Sequence, residues 1–373
     1  MTGERLMRAA VLRSANQPLT VEEVVLAPPG PGEVLVRVAA AGVCRSDVHL
    51  ADGSLGDGRW PIVLGHEGAG VVEAVGPDVG SVAPGDPVAF CFVPSCGGCR
   101  QCVTGRRGLC EVAASASWAG TLLDGTSRLS FSGGEVIQHF NFVSCFAELA
   151  VMPVASAVPI PPGLPLAQAA LLGCGVVTGF GAVRNAARVA PGDSVCVVGC
   201  GGVGLHVIAA ARLAGADPLI AVDAREDKLR RATARGATHV FEAHGSQTTS
   251  QIRALTDGGA DHAFEVVGRA DTIRMAFDVL RAGATAVVVG IAPRGVEVPI
   301  PAQELLSEKG LRGSYYGSGD PAGDLAALAR LVAAGEVDLD LDGVVSHVTD
   351  LDGVEEAFGR LRRGEGARTI VEM

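Results

Sequence analysis

Six residues, Gly199-Cys200-Gly201-Gly202-Val203-Gly204, constrain this chain more than any others. They follow the apolar run Asp193 to Val198 and open a second apolar run, through Ala214, that reads as a helix. A further strand-like run, Leu219 to Val222, then ends on Asp223. Glycines placed between a buried strand and a helix let the backbone approach a pyrophosphate. The helix N-terminus supplies N–H groups and partial positive charge. An acid closing the next strand accepts hydrogen bonds from the adenosine ribose and repels a 2′-phosphate, so Asp223 favours NAD over NADP. Arg225 keeps the phosphate reading open, and a tight glycine turn without nucleotide is the alternative for the six residues alone.

Alternation of strands and helices continues downstream. Helices are expected over Lys228–Arg235 and Asp271–Leu280, and strands over His239–Phe241, His262–Glu265 and Ala284–Gly290. These five strand runs are expected to belong to a six-stranded doubly wound parallel sheet over residues 178–318. A chain of 373 residues is long for one core, so a second domain is expected. Residues 1–177 are rich in short strands and turns, as in Glu33-Val34-Leu35-Val36-Arg37-Val38 after the rigid Pro28–Gly32 loop, and predict a small irregular barrel. Residues 319–373, with a helix over Gly323–Ala334, are expected to return to that domain. A net charge of −11 without a basic cluster argues against a nucleic-acid surface. The apolar stretch Val195–Ala211 is too short and too broken by glycines for a membrane span. The N-terminus has no apolar signal core, which suggests a cytoplasmic protein whose ten cysteines stay reduced and favour metal binding over a disulfide framework.

Four of those cysteines, Cys96, Cys99, Cys102 and Cys110, have the spacing C-x2-C-x2-C-x7-C with no interior histidine. This suits a tetrahedral all-thiolate structural zinc. An iron–sulfur cluster is the rival, although the run lacks a Cys-Pro ending. Cys91, Cys145, Cys196 and Cys200 lie in apolar surroundings and read as core. A second set lies between Gly42 and Gly70, where Cys44 and His66 each have a carboxylate nearby, Asp47 and Glu67. With Cys174 far downstream they supply three zinc ligands and leave a fourth position open, as a catalytic site requires. Taken singly, Cys44 and His66 would read as separate buried residues. The expected metal content is two zinc ions per subunit, one catalytic and one structural.

Gly42-Val43-Cys44-Arg45-Ser46-Asp47, Gly65-His66-Glu67-Gly68-Ala69-Gly70, the four-cysteine lobe, Gly173-Cys174-Gly175-Val176-Val177-Thr178-Gly179, Phe264-Glu265-Val266-Val267-Gly268-Arg269 and Arg368-Thr369-Ile370 occur in this order. Together they resemble the zinc-dependent medium-chain alcohol dehydrogenases over essentially the whole chain. The stretch around His139-Phe140 and Cys145-Phe146 is similar to their long-chain animal and plant type. The resemblance implies an α/β fold: a Rossmann doubly wound parallel sheet (178–318) plus a β-rich GroES-like catalytic domain (1–177 and 319–373). It implies that Cys44, His66 and Cys174 hold the catalytic zinc, with Glu67 as an occasional alternative ligand and Asp47 bonded to the second nitrogen of His66. Ser46 and His49 would carry the alcohol proton to solvent by way of the nicotinamide ribose, and Arg45 and Arg368 would grip the pyrophosphate. Thr178, Gly199, Gly201, Gly202, Val203, Gly204, Asp223, Lys228, Val266, Arg269 and Ile291 would contact the cofactor. Phe92, Trp118, Phe140, Ile291 and Tyr315 would line the substrate cleft, which the loops Ser54–Trp60 and Ala113–Leu123 shape.

The function implied is interconversion of a small-molecule alcohol with its aldehyde or ketone by hydride transfer with NAD(H), in a homodimer or homotetramer. Ser46, smaller than the threonine alternative, leaves room for secondary or bulky alcohols. Val112–Ser117 holds no cation to grip the carboxylate of a glutathione adduct, which argues against such substrates. A reductase of a specialised carbonyl compound and a catalytically silent NAD-binding redox sensor are the alternatives. Both cysteine sets would be missing from a zinc-free quinone reductase.

Overall fold

Strand-forming runs dominate the N-terminal part of the computed structural model, which describes residues 3–56 and 58–373. Met1, Thr2 and Asp57, the last within the loop expected to shape the pocket, lie outside the described residues. The strands are β1 (Arg5–Leu12), β2 (Thr20–Leu26), β3 (Glu33–Gly42), β4 (Ile62–Val63), β5 (Glu67–Val75), β6 (Pro87–Phe90), β7 (Leu129–Ser130), β8 (Val136–His139), β9 (Leu149–Pro153) and β10 (Ala157–Pro159). Short helices α1 (Arg45–Ala51), α2 (Arg100–Val103) and α3 (Glu111–Ala119) sit in the connections. Strands β1, β2, β7, β8 and β4 close a barrel, and a second sheet places β10, β6, β5 and β3 side by side, with β9 also on β3. β3 is buried along nearly its whole length because it pairs with both β5 and β9. Helix α4 (Leu166–Leu171) then runs into a π-helical turn, Leu172–Val176.

α5 (Val177–Gly181) leads into the alternating part. Strands β11 (Val195–Val198), β12 (Leu219–Asp223), β13 (His239–Glu242), β14 (Ala260–Glu265), β15 (Leu280–Val288) and β16 (Gly310–Gly313) form one parallel sheet in the order β13-β12-β11-β14-β15-β16. Between them lie α6 (Gly202–Leu213), α7 (Glu226–Ala234), α8 (Ser246–Leu255) and α9 (Ala270–Asp278). Helices on both faces explain why β11, Val-Cys-Val-Val, is apolar at every position. Cys196, Val198, Ile220, Val222, Ala263 and Phe277 share one core. The helix expected over Asp271–Leu280 ends at Asp278, and the strand expected from Ala284 begins at Leu280. The cause is a register shift that lets Leu280 pair with Ala260 before the regular ladder starts at His262.

The C-terminal segment adds α10 (Pro321–Ala333), α11 (Leu341–Val344), β17 (Val345–Asp350), α12 (Val354–Arg362) and β18 (Arg368–Glu372). β18 pairs antiparallel with β3 and parallel with β17, so the chain ends in the sheet built by its first half. By its own packing the chain divides into two compact units, Met1–Val177 with Gly319–Met373, and Thr178–Ser318. The helical run 166–187 is apolar and long enough to cross a membrane, but 72% of its apolar window is buried in the fold, as in a core helix.

Candidate active site

Register is what first brings Cys44 and His66 together. Gly42, the last residue of β3, pairs with Glu67, the first of β5, so the residues just beyond each strand end become neighbours. Cys44 then precedes α1, and Asp47 in the first turn of that helix accepts the Cys44 backbone N–H at 3.1 Å. The other oxygen of Asp47 accepts the Gly65 N–H at 3.1 Å and bonds His66 Nδ1 at 3.1 Å. One fully buried carboxylate thus ties the two metal-donor segments and leaves His66 Nε2 for a cation.

Cys174 enters from the π-helical turn, flanked by glycines. π-turns inside helices recur at functional sites because the extra residue redirects a side chain. Its Sγ lies 3.9 Å from Cys44 Sγ, and the donor atoms of Cys44, His66 and Cys174 all lie within 4.8 Å of one another, buried. A tetrahedral zinc bonded at about 2.3 Å separates its sulfurs by about 3.8 Å, so the trio fits zinc with one position left open. The thiol of Cys174, donating to Cys44, holds Cys44 well below the ordinary cysteine range, with further help from His66. Burial depresses His66, but Asp47 and the Cys44 thiolate overcome it and hold its pKa well above the ordinary value. Glu67 lies outside the trio: Arg368 Nη1 stands 3.4 Å from its carboxylate, and burial pushes that carboxyl up to about 7. Arg368 Nε and Nη2 are buried without an acceptor among the described residues. An anion is the partner they lack.

Ser46 Oγ is 3.7 Å from Cys44 Sγ, and His49 lies one turn further along α1, so the two share a helix face. His49 Nδ1 is buried without a partner among the described residues, and burial lowers its pKa. Arg45 is exposed and donates to the Leu361 carbonyl at 2.8 Å. The rings of Phe92 and Phe140 meet His66 edge-on at 5.1 and 5.4 Å, two apolar walls beside the metal donors. Trp118, expected with them, is 61% exposed on α3.

The four lobe cysteines converge as well. Cys96 and Cys102 sulfurs are 4.0 Å apart, Cys99 and Cys110 sulfurs 3.9 Å, and all four lie within 4.8 Å of one another. That spacing encloses one ion at zinc–sulfur distance and leaves no room for an iron–sulfur cluster. Backbone N–H groups of Cys102 and Glu111 hold Cys99 at about 6, where it is a thiolate at neutral pH.

In the second unit the glycine turn lies at the C-terminal edge of β11, where the sheet order reverses toward β14. A Cβ on Gly204 would meet the Gly199 carbonyl at 1.9 Å, so only glycine permits this approach of helix to turn. Above Gly201 a Cβ would meet nothing within 4 Å, the open space a phosphate needs beside the first turn of α6, into which Gly202 and Val203 fall. Asp223 accepts N–H groups from Cys200 at 2.8 Å and Arg225 at 3.1 Å, while the Arg225 guanidinium pairs with Asp227 at 3.0 Å. Thr178 lies in α5, Lys228 in α7 and Val266 just after β14. Arg269 is paired with Asp271, and Ile291 and Tyr315 are 40% and 50% exposed.

The alcohol dehydrogenase GroES-like domain family matches residues 30–162, and the zinc-binding dehydrogenase family matches residues 202–334. The NDMA-dependent alcohol dehydrogenase of Amycolatopsis methanolica is 40% identical over 98% of both chains. The chain belongs to the zinc-dependent medium-chain alcohol dehydrogenases. Another relative, the class-3 alcohol dehydrogenase of Myxine glutinosa, is 36% identical over 98% of this chain and 97% of its own. Among solved structures of this kind, benzyl alcohol dehydrogenase from Acinetobacter calcoaceticus superposes with a TM-score of 0.92 at 31% identity, over 99% of each chain.

This medium-chain dehydrogenase also has a residue that sequence reasoning left without a role. Glu265 is fully buried at the end of β14, and its Oε1 accepts from the Val267 N–H at 2.9 Å, the Gly268 N–H at 2.7 Å and the Thr272 hydroxyl at 2.7 Å. It braces the turn that carries Val266 and Arg269. An acid closing the otherwise apolar run Ala263-Phe264 was the available signal.

Proposed function

We propose that this protein is an NAD-linked, zinc-dependent alcohol dehydrogenase that interconverts an alcohol with its aldehyde or ketone. The observation that carries this is the buried Cys44–His66–Cys174 trio, with one coordination position free and Ser46 beside it. A zinc ion held there supplies Lewis acidity that favours ionisation of an alcohol hydroxyl, and NAD supplies the hydride acceptor. Around it Asp47 fixes the His66 tautomer, Ser46 Oγ takes the substrate proton, and His49 passes it toward solvent. Phe92 and Phe140 exclude water from the reacting carbon, while Glu67 is a reserve ligand restrained by Arg368. Residues 1–177 and 319–373 form the catalytic domain, and 178–318 the NAD-binding domain.

Several features support the finer assignments. The glycine turn, Asp223 and the pairing of Arg225 with Asp227 favour NAD over NADP. Two thiolate-rich centres support two zinc ions per subunit. The small Ser46 and the benzyl alcohol dehydrogenase relative support bulky or aromatic alcohols as substrates. Exposed Leu306 and, on the edge strand β16, exposed Leu311 support a homodimer or homotetramer. A reductive preference or a silent module has no feature in its favour. The NDMA-dependent relative favours a second reading of the acceptor, in which free NAD is not what regenerates the enzyme.

Metal analysis together with NADH formation over primary, aromatic and secondary alcohols tests the proposal. The expected result is about two zinc per subunit and NAD-dependent turnover that is lost in Cys44→Ala. Turnover with NDMA but none with free NAD would select the second reading. Silence with both acceptors would overturn the enzymatic one.

A further inference from the structure

We propose that Ser117 and Asn141 form a positioning pair that sets the Phe140 ring against His66 and thereby determines which alcohols fit. The inference rests on the reading of Phe140 as a wall of the alcohol pocket. Phe140 is 8% exposed, and both of its chain neighbours are tied to the C-terminal end of α3. On one side, the His139 N–H donates to the carbonyl of Gly120, the left-handed cap of that helix, at 2.8 Å. On the other, the Ser117 hydroxyl donates to Asn141 Oδ1 at 2.7 Å. The Phe140 N–H itself is held by Ser144 Oγ at 2.9 Å.

The loop between these anchors is strained. Asn141, Phe142 and Ser144 all have positive φ, at 48°, 67° and 50°. Asparagine tolerates that region, but phenylalanine and serine adopt it at a cost and only where surrounding bonds over-determine the backbone. Such strain clusters where a side chain must be held in one orientation. Here the oriented side chain is Phe140, whose ring stands edge-on to His66 with centroids 5.4 Å apart. Cys110 is the N-cap of α3, so the element that pins this wall starts from the four-cysteine lobe. The lobe therefore has a part in shaping the pocket as well as in folding its own loop.

The test uses the zinc-loaded enzyme and kcat/KM for ethanol and benzyl alcohol. Ser117→Ala removes one neutral hydrogen bond without harming the helix, since alanine is the better helix former. The benzyl-to-ethanol ratio should change about three- to ten-fold, with ethanol itself changing less than about two-fold. Ser117→Thr keeps the hydroxyl and should restore the ratio. Asn141→Gly keeps the positive φ while deleting the carboxamide, and should reproduce the shift. The double variant should move the ratio no further than either single one, as a coupled pair requires. A crystal structure of Ser117→Ala should show the Phe140 ring displaced from its edge-on contact with His66. Equal effects on both alcohols, additive effects in the double variant, or an unmoved ring would overturn the proposal. Wild-type silence toward every alcohol would overturn the functional reading, and this proposal with it.

Discussion

Asp47 is the residue on which the metal centre turns. Its carboxylate collects the Cys44 N–H, the Gly65 N–H and His66 Nδ1, so it orients a thiolate donor and an imidazole donor together. Removing it leaves two buried N–H groups and an imidazole nitrogen unpaired. Asp47→Ala should lower the affinity of the Cys44–His66–Cys174 site for zinc about 10- to 100-fold, the range for lost outer-shell partners. Zinc release to a chelator would measure this, with the four-cysteine site as an internal control whose release rate should not change. Equal release from both sites would refute the assignment. The acid three residues after Cys44 was legible as a nearby carboxylate and, by resemblance, as a partner of His66. Its bonds to Cys44 and Gly65 were not, because they depend on how the ends of β3 and β5 meet.

At the scale of elements, the glycine turn and α6 separate packing from ligand binding. Gly204 lies against the Gly199 carbonyl, whereas Gly201 faces open space. Gly204→Ala must displace the helix or the turn, and should cost about 1–3 kcal/mol in thermal or denaturant unfolding. Gly201→Ala should unfold like wild type, because its Cβ meets no protein atom. It should nevertheless weaken NADH binding about ten-fold or more in a fluorescence titration, because that Cβ occupies the phosphate space. If Gly201→Ala binds NADH normally, the phosphate does not sit there. The π-helical turn at Cys174 is the complementary case. Cys174 was readable as a metal ligand, but the extra residue per turn that aims its thiol was not, since nothing in Leu-Gly-Cys-Gly-Val distinguishes a π-turn from an α-turn.

For the molecule as a whole, acid stability should depend on His139. Burial, aided by Arg128, holds its imidazole at about 3, and the Arg128 N–H donates to its Nε2 at 3.2 Å. The folded protein keeps the ring neutral, whereas the unfolded chain protonates near pH 6.5. Between those values the unfolded state binds the extra proton, so stability falls as pH falls, by about 1.4 kcal/mol per unit below 6.5. From pH 7 to 5 the wild type should therefore lose about 2 kcal/mol more than His139→Gln in urea unfolding. Identical slopes would show that His139 is not buried neutral. Resemblance drew attention to His139 only as part of a shared stretch. Its burial is a property of the closed barrel, where β8 lies between β7 and β4.

The sequence alone determined what depends on local spacing. The four lobe cysteines, the glycine turn after β11 and five of the six strands of the parallel sheet can all be read within windows of a few residues, because ligand geometry, backbone approach and side-chain period are local constraints; β16, Gly-Leu-Arg-Gly, has no such period. Tertiary structure decided what depends on residues far apart in the chain. It placed Cys174 3.9 Å from Cys44, set Arg368 beside Glu67 and pinned Phe140 between two bonds to the end of α3. These arrangements follow from strand register and from helix ends meeting loops. A linear pattern names which residues can meet, but only the folded register sets their distances.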